Sequence, residues 1–418
     1  MARLTYIRVE WSQRMKKRLL CCIAPFLLMA CASFAARHPE SEWTGSWAAS
    51  PEVTRLKEPV AASTIRDVVH LSLGGSAVRV TLTNQFGRTP LLIGSATIAL
   101  SAGGNRLQPG TVRQLTFNHQ PSVLVPMGSY VVSDPVPIPV AAFSDLAISL
   151  YLPQQAVAVP TCHEIASSTN YIAPGNETRD GQLENARGFL SWCFLQGVEV
   201  RPKRRGSAAV VALGDSITDG APSTVDANHR YTDYLALRLH AHGKTARLSV
   251  LNEGISGGRV LFEGHGPSAM QRFDRDVLAE PGVRYVIYLE GINDIGQLLR
   301  PRSPEKTLTA EDMIFAASQI IARAHMHGVK VFGATLLPAG ARIESNPAWV
   351  KVRQEIGRYN DWVRTSHAFD GVVDFHKAVA DPGEPDILLP AYDSGDHVHP
   401  NDAGYKAMAD AIDLAIFK

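Results

Sequence analysis

The hydrophobic period of this chain changes once, at the short basic segment Arg201-Pro202-Lys203-Arg204-Arg205-Gly206. Upstream, apolar residues recur at every second position. Val78, Val80 and Leu82 alternate with Arg79, Thr81 and Thr83, and Leu146, Ile148, Leu150 and Leu152 alternate with Ala147, Ser149 and Tyr151. That is the period of a strand with one face buried and one wet. Downstream, short apolar runs alternate with stretches of helical period. A chain with such a break reads as two domains, and 418 residues suffice for two cores of roughly 150–200 residues each. We expect them over 43–200 and 208–418, joined by a linker over 201–207.

Over 43–200 the punctuation is that of an all-β domain. Asn84-Gln85-Phe86-Gly87 and Ala102-Gly103-Gly104-Asn105 carry turn chemistry, and Pro135, Pro137 and Pro139 exclude a central strand where they stand. The expected architecture is a β-sandwich, jelly-roll-like. Over 208–418 we expect strands near 208–213, 248–251, 285–289, 329–334 and 372–375. Helices are expected near 231–242, 310–327, 349–367 and 402–417. This alternation implies an α/β domain with a parallel sheet covered on both faces, and such a sheet binds ligands beyond the carboxyl ends of its strands.

Four short motifs fall at or near those ends. Gly214-Asp215-Ser216-Ile217-Thr218-Asp219-Gly220 follows the first strand. A serine on a strand-to-helix turn presents its hydroxyl from an exposed corner; serine is also an ordinary helix cap. Asn252-Glu253-Gly254-Ile255-Ser256-Gly257-Gly258 follows the second strand, and its glycines either admit a backbone N–H to a ligand or make a plain turn. Gly291-Ile292-Asn293-Asp294 follows the third, where the asparagine amide either enters the cleft or closes an Asx turn. Asp396-His397-Val398-His399-Pro400-Asn401 precedes the last helix. A carboxylate three residues from a histidine can fix its tautomer and stabilise the imidazolium, and Pro400 keeps His399 out of helical geometry. Metal binding through His397 and His399 is the rival reading, but no Cys or third His sits near them at usable spacing.

Taken together, Ser, Gly, Asn and His in this order resemble the SGNH hydrolases, also called GDSL-type esterases, over roughly Ala208 to Lys418. The resemblance implies a three-layer α/β/α sandwich. It implies Ser216 as nucleophile, His399 as general base and Asp396 as its orienting partner. The oxyanion hole would come from the Ser216 N–H, the Gly257 N–H and the Asn293 amide, with Gly254 or Gly258 as alternatives to Gly257. Trp43-Thr44-Gly45-Ser46-Trp47-Ala48-Ala49-Ser50 and the β segment look like the N-terminal half of a two-domain subgroup of exported esterases. Such chemistry calls for no metal or organic cofactor. A base takes the serine proton during attack, and each oxyanion donor is typically worth ~10²–10³ in rate.

The first 36 residues have their own character. Met15-Lys16-Lys17-Arg18, an apolar run from Leu19 to Ala32, and Ser33-Phe34-Ala35-Ala36 compose a secretory leader, with 1–14 as an upstream extension. Cleavage after Ala35 or Ala36 would release the body to the periplasm or the outside. Leu28-Met29-Ala30-Cys31 resembles a lipobox, so membrane attachment is expected only through lipidated Cys31. An uncleaved anchor is the third reading, but the run barely reaches the ~18–20 residues a span needs. The leader holds six of the 41 basic residues and one of the 40 acids, which leaves the body mildly acidic and speaks against nucleic-acid binding. Cys162 and Cys193 are the two cysteines of the body; an even pair in an exported chain suggests a disulfide, the alternative being two unrelated buried thiols.

The expected function is a secreted serine esterase acting on short acyl esters, such as acetyl groups on polysaccharides. The alternatives are a lipase or phospholipase, and a carbohydrate-binding protein with a vestigial hydrolase half. The short-acyl reading rests on charged walls. Residues 262–276 include Glu263, His265, Gln271, Arg272, Asp274, Arg275 and Asp276, and residues 296–312 include Gln297, Arg300, Arg302, Glu305, Lys306, Glu311 and Asp312. Walls of that kind would leave a long acyl chain in water, at ~0.8 kcal/mol per methylene.

Overall fold

Ala208–Gly214 is a run of seven buried residues, and it forms the second strand of a five-stranded, wholly parallel sheet. The sheet order is Leu248–Gly254, Ala208–Gly214, Val283–Leu289, Lys330–Ala334, Gly371–Val373. The chain therefore leaves Ala208–Gly214 toward one edge and then crosses to its other side. The carboxyl end of that strand is the switch point at which open α/β sheets bind ligands. Helices Tyr231–Ala241 and Asp402–Ala411 pack together, as do Ala310–Met326 and Ala348–Thr365, and these pairs complete the α/β/α layers. The computed structural model describes residues 42–54, 60–299, 308–340 and 348–418. The leader, with Cys21, Cys22 and Cys31, lies outside the described residues, as do Arg300, Arg302, Glu305 and Lys306.

Several boundaries differ from the periodicity: the strand expected to end at Leu251 runs on to Gly254, and the one expected from 285 begins at Val283. The last strand stops at Val373, because the Asp374 carboxylate accepts from the Lys377 N–H (3.1 Å) and starts a short helix, Phe375–Val379. The closing helix stops at Ala411. Beyond it the Asp413 carboxylate accepts from the Ala415 N–H (2.9 Å) and caps a separate turn, Leu414–Ile416.

The first half is antiparallel throughout. One sheet runs Thr44–Ala48, Leu195–Val200, Val78–Thr83, Tyr130–Val132; a six-stranded sheet has Ser63–His70 and Asp145–Leu152 at its centre. Val78, Val80 and Leu82 share one core with Leu146, Ile148, Leu150 and Leu152. The opposite faces are not wet, contrary to the alternation. Thr81, Thr83, Ala147 and Ser149 are buried. Segments around residues 105 and 177–180 cover the larger sheet and are tied down by fully buried Arg66. Its guanidinium donates to Ser149 Oγ (2.8 Å), the Asn105 carbonyl (2.7 Å) and the Asp180 carbonyl (3.0 Å). A polar residue at a strand position is thus covered where a long loop supplies its partners.

Residues Ser41–Lys418 form one compact unit. The Thr44–Ala48 strand lies against Leu248–Gly254, where Gly45 donates to the Pro281 carbonyl (2.9 Å) and Val250 donates to Ser72 Oγ (3.1 Å). Cys162 and Cys193 stand opposite each other on neighbouring antiparallel strands and are joined by a disulfide. Among the described residues, no helix is long and apolar enough to cross a membrane.

Thiol titration of the denatured, unreduced protein should find neither Cys162 nor Cys193 reactive. Replacing both with serine should lower stability by about 3–4 kcal/mol, the loop-entropy value for cysteines 31 residues apart. An unchanged denaturation midpoint would refute the second statement.

Candidate active site

The turn after Ala208–Gly214 is built for a close approach. A Cβ at Gly214 would lie 2.3 Å from the Leu289 carbonyl oxygen and 2.2 Å from Thr218 Oγ1, so only glycine lets the turn fold back onto the sheet. Asp215 caps the one-turn helix Ser216–Asp219 by accepting from the Ile217 N–H (3.0 Å). Ser216 then sits at the switch point, 7% exposed.

His399 reaches it from the far end of the chain. Its Nε2 is 2.7 Å from Ser216 Oγ, and its Nδ1 is 2.6 Å from Asp396 Oδ2. Burial works to raise the Asp396 pKa, but hydrogen bonds from the His399 N–H, the His399 ring and the Val398 N–H outweigh it and hold the group down to about 2. Asp396 is therefore ionised, Nδ1 carries the proton and donates, and Nε2 accepts from the Ser216 hydroxyl. His397 does not converge with His399. It bonds a different carboxylate, Asp393 (2.6 Å), on the same turn.

The other two motifs, which leave the strands on either side of Ala208–Gly214, meet each other. The Asn293 Nδ2 donates to the Gly258 carbonyl (2.9 Å), which leaves its second amide hydrogen available. Buried Asp294 binds the same loop by accepting from the Val260 N–H (3.0 Å) and from Arg259 Nε (3.3 Å). Of the three candidate glycines, Gly258 donates to the Ile255 carbonyl (2.8 Å) and Gly254 to Asn252 Oδ1 (2.9 Å). The Gly257 N–H makes no hydrogen bond among the described residues. Gly257 has φ +76°, and a Cβ there would press on the His265 ring at 2.9 Å.

A cleft of about 450 Å³ opens from Gly257 and Asn293 toward Val398. Its lining includes Arg259, His265 and Gln297 together with Leu299, Trp349 and Val352. The expected wall over 262–276 departs here. His265 reaches the cleft, but Arg272 and Asp276 are fully buried. Arg272 donates to the carbonyls of Gly214 (2.9 Å) and Glu253 (2.6 Å) and to Ser50 Oγ (2.8 Å). Arg272 and Asp276 turn inward because distant backbone carbonyls, Ser50 and each other match them, whereas Glu263 and Asp274 stay exposed. Trp349 and Val352 were missed as cleft residues. Their only sequence signal is an apolar stripe on a helix, which reads as core.

Residues 212–407 match the model of the GDSL-like Lipase/Acylhydrolase family. No curated protein matches the chain significantly. Solved structures similar to half of it include a G-D-S-L family protein from Desulfitobacterium hafniense, 23% identical over 49% of this chain and 97% of that one, TM-score 0.36. Another is LAE5, an α/β hydrolase from the metagenome of Lake Arreo, 25% identical over 50% and 94%, TM-score 0.39. A third is an acetylxylan esterase from Geobacillus stearothermophilus, 24% identical over 49% and 91%, TM-score 0.38.

The acids beneath the site set a pH dependence. Burial pushes the Asp215 carboxyl up to about 7, and it pushes Asp294 up to about 6 despite the Val260 N–H and Arg259. In that range the folded chain holds protons that the unfolded chain has released, so stability falls as pH rises from about 4 through about 7. The melting temperature should therefore drop between about pH 5 and about pH 8. Asp294→Asn should flatten the slope. A melting temperature that climbs over the same range would contradict this.

Proposed function

Starting from a chain whose residues 212–407 belong to the GDSL-like lipase/acylhydrolase family and which is an ester-hydrolysing enzyme, we propose that it is a serine esterase in which Ser216 carries the acyl group. The observation behind this reading is the unbroken line Ser216 Oγ, His399 ring, Asp396 carboxylate, at 2.7 and 2.6 Å. His399 takes the serine proton as Oγ attacks the ester carbonyl, and Asp396 stabilises the resulting imidazolium. The tetrahedral intermediate places its negative oxygen toward the Ser216 and Gly257 N–H groups and the Asn293 amide. His399 then returns the proton to the departing alcohol. Water repeats the sequence on the acyl-enzyme and frees the acid.

The substrate in this reading is a short acyl ester of a hydrated alcohol, such as an acetyl group on a polysaccharide. His265 and Gln297 can hydrogen-bond a sugar, and Trp349 lines the same cleft. The wall formed by Leu299, Trp349 and Val352 favours a second reading, a lipase that lays a longer chain along it. Export belongs to the same proposal: residues 15–36 have leader character, and a disulfide suits an oxidising compartment. So does the division into an antiparallel domain over 43–200 and a catalytic domain over 208–418.

Ser216→Ala should abolish both ester hydrolysis and fluorophosphonate labelling without changing the melting temperature by more than a few degrees. Labelling that persists on the variant would defeat the assignment. Asn293→Ala should lower kcat by ~10²–10³ with KM nearly constant, since its amide is needed mainly in the transition state; a rise in KM alone would make it a substrate contact. Across p-nitrophenyl esters, kcat/KM should be highest for acetate and butyrate. A maximum at ten carbons or longer would install the lipase reading instead.

A further inference from the structure

A histidine of the antiparallel half reaches the loop beside the nucleophile. His163 lies on the strand Thr161–His163, next to disulfide-bonded Cys162, and is 3% exposed. Its Nδ1 is 3.1 Å from the Ser50 carbonyl oxygen, and its Nε2 is 3.0 Å from Asp219 Oδ1. Asp219 is the last residue of the one-turn helix that begins with Ser216, and its backbone N–H donates to the Asp215 carbonyl (2.9 Å). The second oxygen of Asp219 accepts from both the Ser256 N–H (3.1 Å) and the Ser256 hydroxyl (2.5 Å). Ser256 immediately precedes Gly257.

We propose that His163 is a positioning residue for ester hydrolysis. Through Asp219 and Ser256 it fixes the peptide that aims the Gly257 N–H at the oxyanion, so the antiparallel half completes the catalytic site. This rests on the reading of Gly257 as an oxyanion donor.

The link is chemically well matched. A buried Asp219 with one oxygen on Ser256 needs a donor for the other, and His163 is the donor at hand. Burial opposes charge on the ring, but the Asp219 and Glu52 carboxylates and the Ser50 carbonyl outweigh it and raise the His163 pKa to about 9. The ring then donates from both nitrogens, one bond into each half of the chain. The position of the ring is set in turn by the Cys162–Cys193 pair and by Trp192, whose ring centre is 5.6 Å away. Rotation of the Ser256–Gly257 peptide by loss of its anchor would move the Gly257 N–H while leaving Ser216, His399 and the cleft walls in place. Such a change touches the transition state more than substrate binding.

The test uses the full exported chain with sites counted by fluorophosphonate titration, so that kcat is expressed per competent site. His163→Ala should lower kcat by about tenfold or more, short of the ~10²–10³ of losing a donor outright, with KM within about twofold. His163→Gln, whose amide can still donate to Asp219, should recover most of that loss. Ser256→Ala breaks the link at its other end and should lower kcat in the same way. The effects of His163→Ala and Ser256→Ala should combine less than additively, as for residues of one network. Full kcat per titrated site in His163→Ala, whatever its melting temperature, overturns the proposal by making the residue merely structural. If His163→Ala does not fold, full kcat per site in Ser256→Ala overturns it equally. Ser216→Ala is run alongside: if it still labels, the esterase reading itself has failed, whereas a dead Ser216→Ala beside a fully active His163→Ala removes this inference alone.

Discussion

A single guanidinium with no exposed surface holds the strand before Ser216, its neighbour and the antiparallel half together. Arg272 donates to the carbonyl of Gly214 at the end of the central strand and to that of Glu253 at the end of the next. It also donates to Ser50 Oγ, which in turn donates to the Glu253 carboxylate (2.5 Å). Asp276 lies 3.3 Å from the same nitrogen, and Glu290 lies 3.6 Å from the other terminal nitrogen. A buried charge of this kind is weak evidence for net stability, because desolvation offsets much of the attraction. What it does provide is definition. Two strand-end carbonyls share one planar donor, and the turns that follow them carry Ser216 and Gly257. Removing Arg272 would take the shared donor from both carbonyls and leave Asp276 with Arg275 as its cation.

The parts of this molecule that could be read from its sequence are those whose causes are local. The apolar run before Gly214 and the amphipathic stretch 310–327 each carry their own period, and both became elements within a residue or two of expectation. The Ser216 and His399 motifs were equally legible, because glycine, proline and a carboxylate at fixed offsets act on the next few residues. The charges between Phe262 and Asp276 misled for the opposite reason. Besides Asp276 four residues on, Arg272 meets Gly214 and Ser50, which stand far away in sequence, and nothing near it signals a buried guanidinium. The alternation in Val78–Thr83 likewise located the core face correctly, but it was silent about the loops that cover the other one. Asp374 and Asp413 are simpler cases, in which a side chain captures a backbone N–H and ends an element that hydrophobicity alone would have prolonged.

The two halves share more than an edge. Ser72 Oγ donates to the Ser46 carbonyl (2.7 Å) within the antiparallel part and accepts from the Val250 N–H in the first strand of the parallel sheet. Ser50 connects to Glu253 and Arg272, and His163 to Asp219. The contacts to Val250, Glu253 and Asp219 fall on the strand Leu248–Gly254 or on the turn after Ala208–Gly214. An edge strand of an open sheet is ordinarily the place where pairing ends and backbone groups meet water. Here the antiparallel half covers that edge, and the loop that leaves it, with Ser256 and Gly257, has fixed partners on both sides.

The base side of the site is held differently. Asp396 is about half exposed, and His399 is oriented within one turn, with Pro400 and the cap of helix Asp402–Ala411 behind it. The two backbone N–H bonds to Asp396 come from Val398 and from His399 itself, so the carboxylate and the imidazole form a closed local unit. Such a unit keeps its internal geometry even if the turn shifts as a whole. The nucleophile and the Gly257 loop, by contrast, are defined by contacts spread across the entire fold. An oxyanion donor must meet a charge that exists only in the transition state and gains nothing from adjusting to the ground state. In the proposed mechanism His399 accepts a proton from Ser216 and later delivers it to a departing alcohol, two positions that do not coincide. The contrast in how the two sides are held therefore follows the demands of the chemistry: rigid where charge develops, and locally self-contained where a proton has to travel.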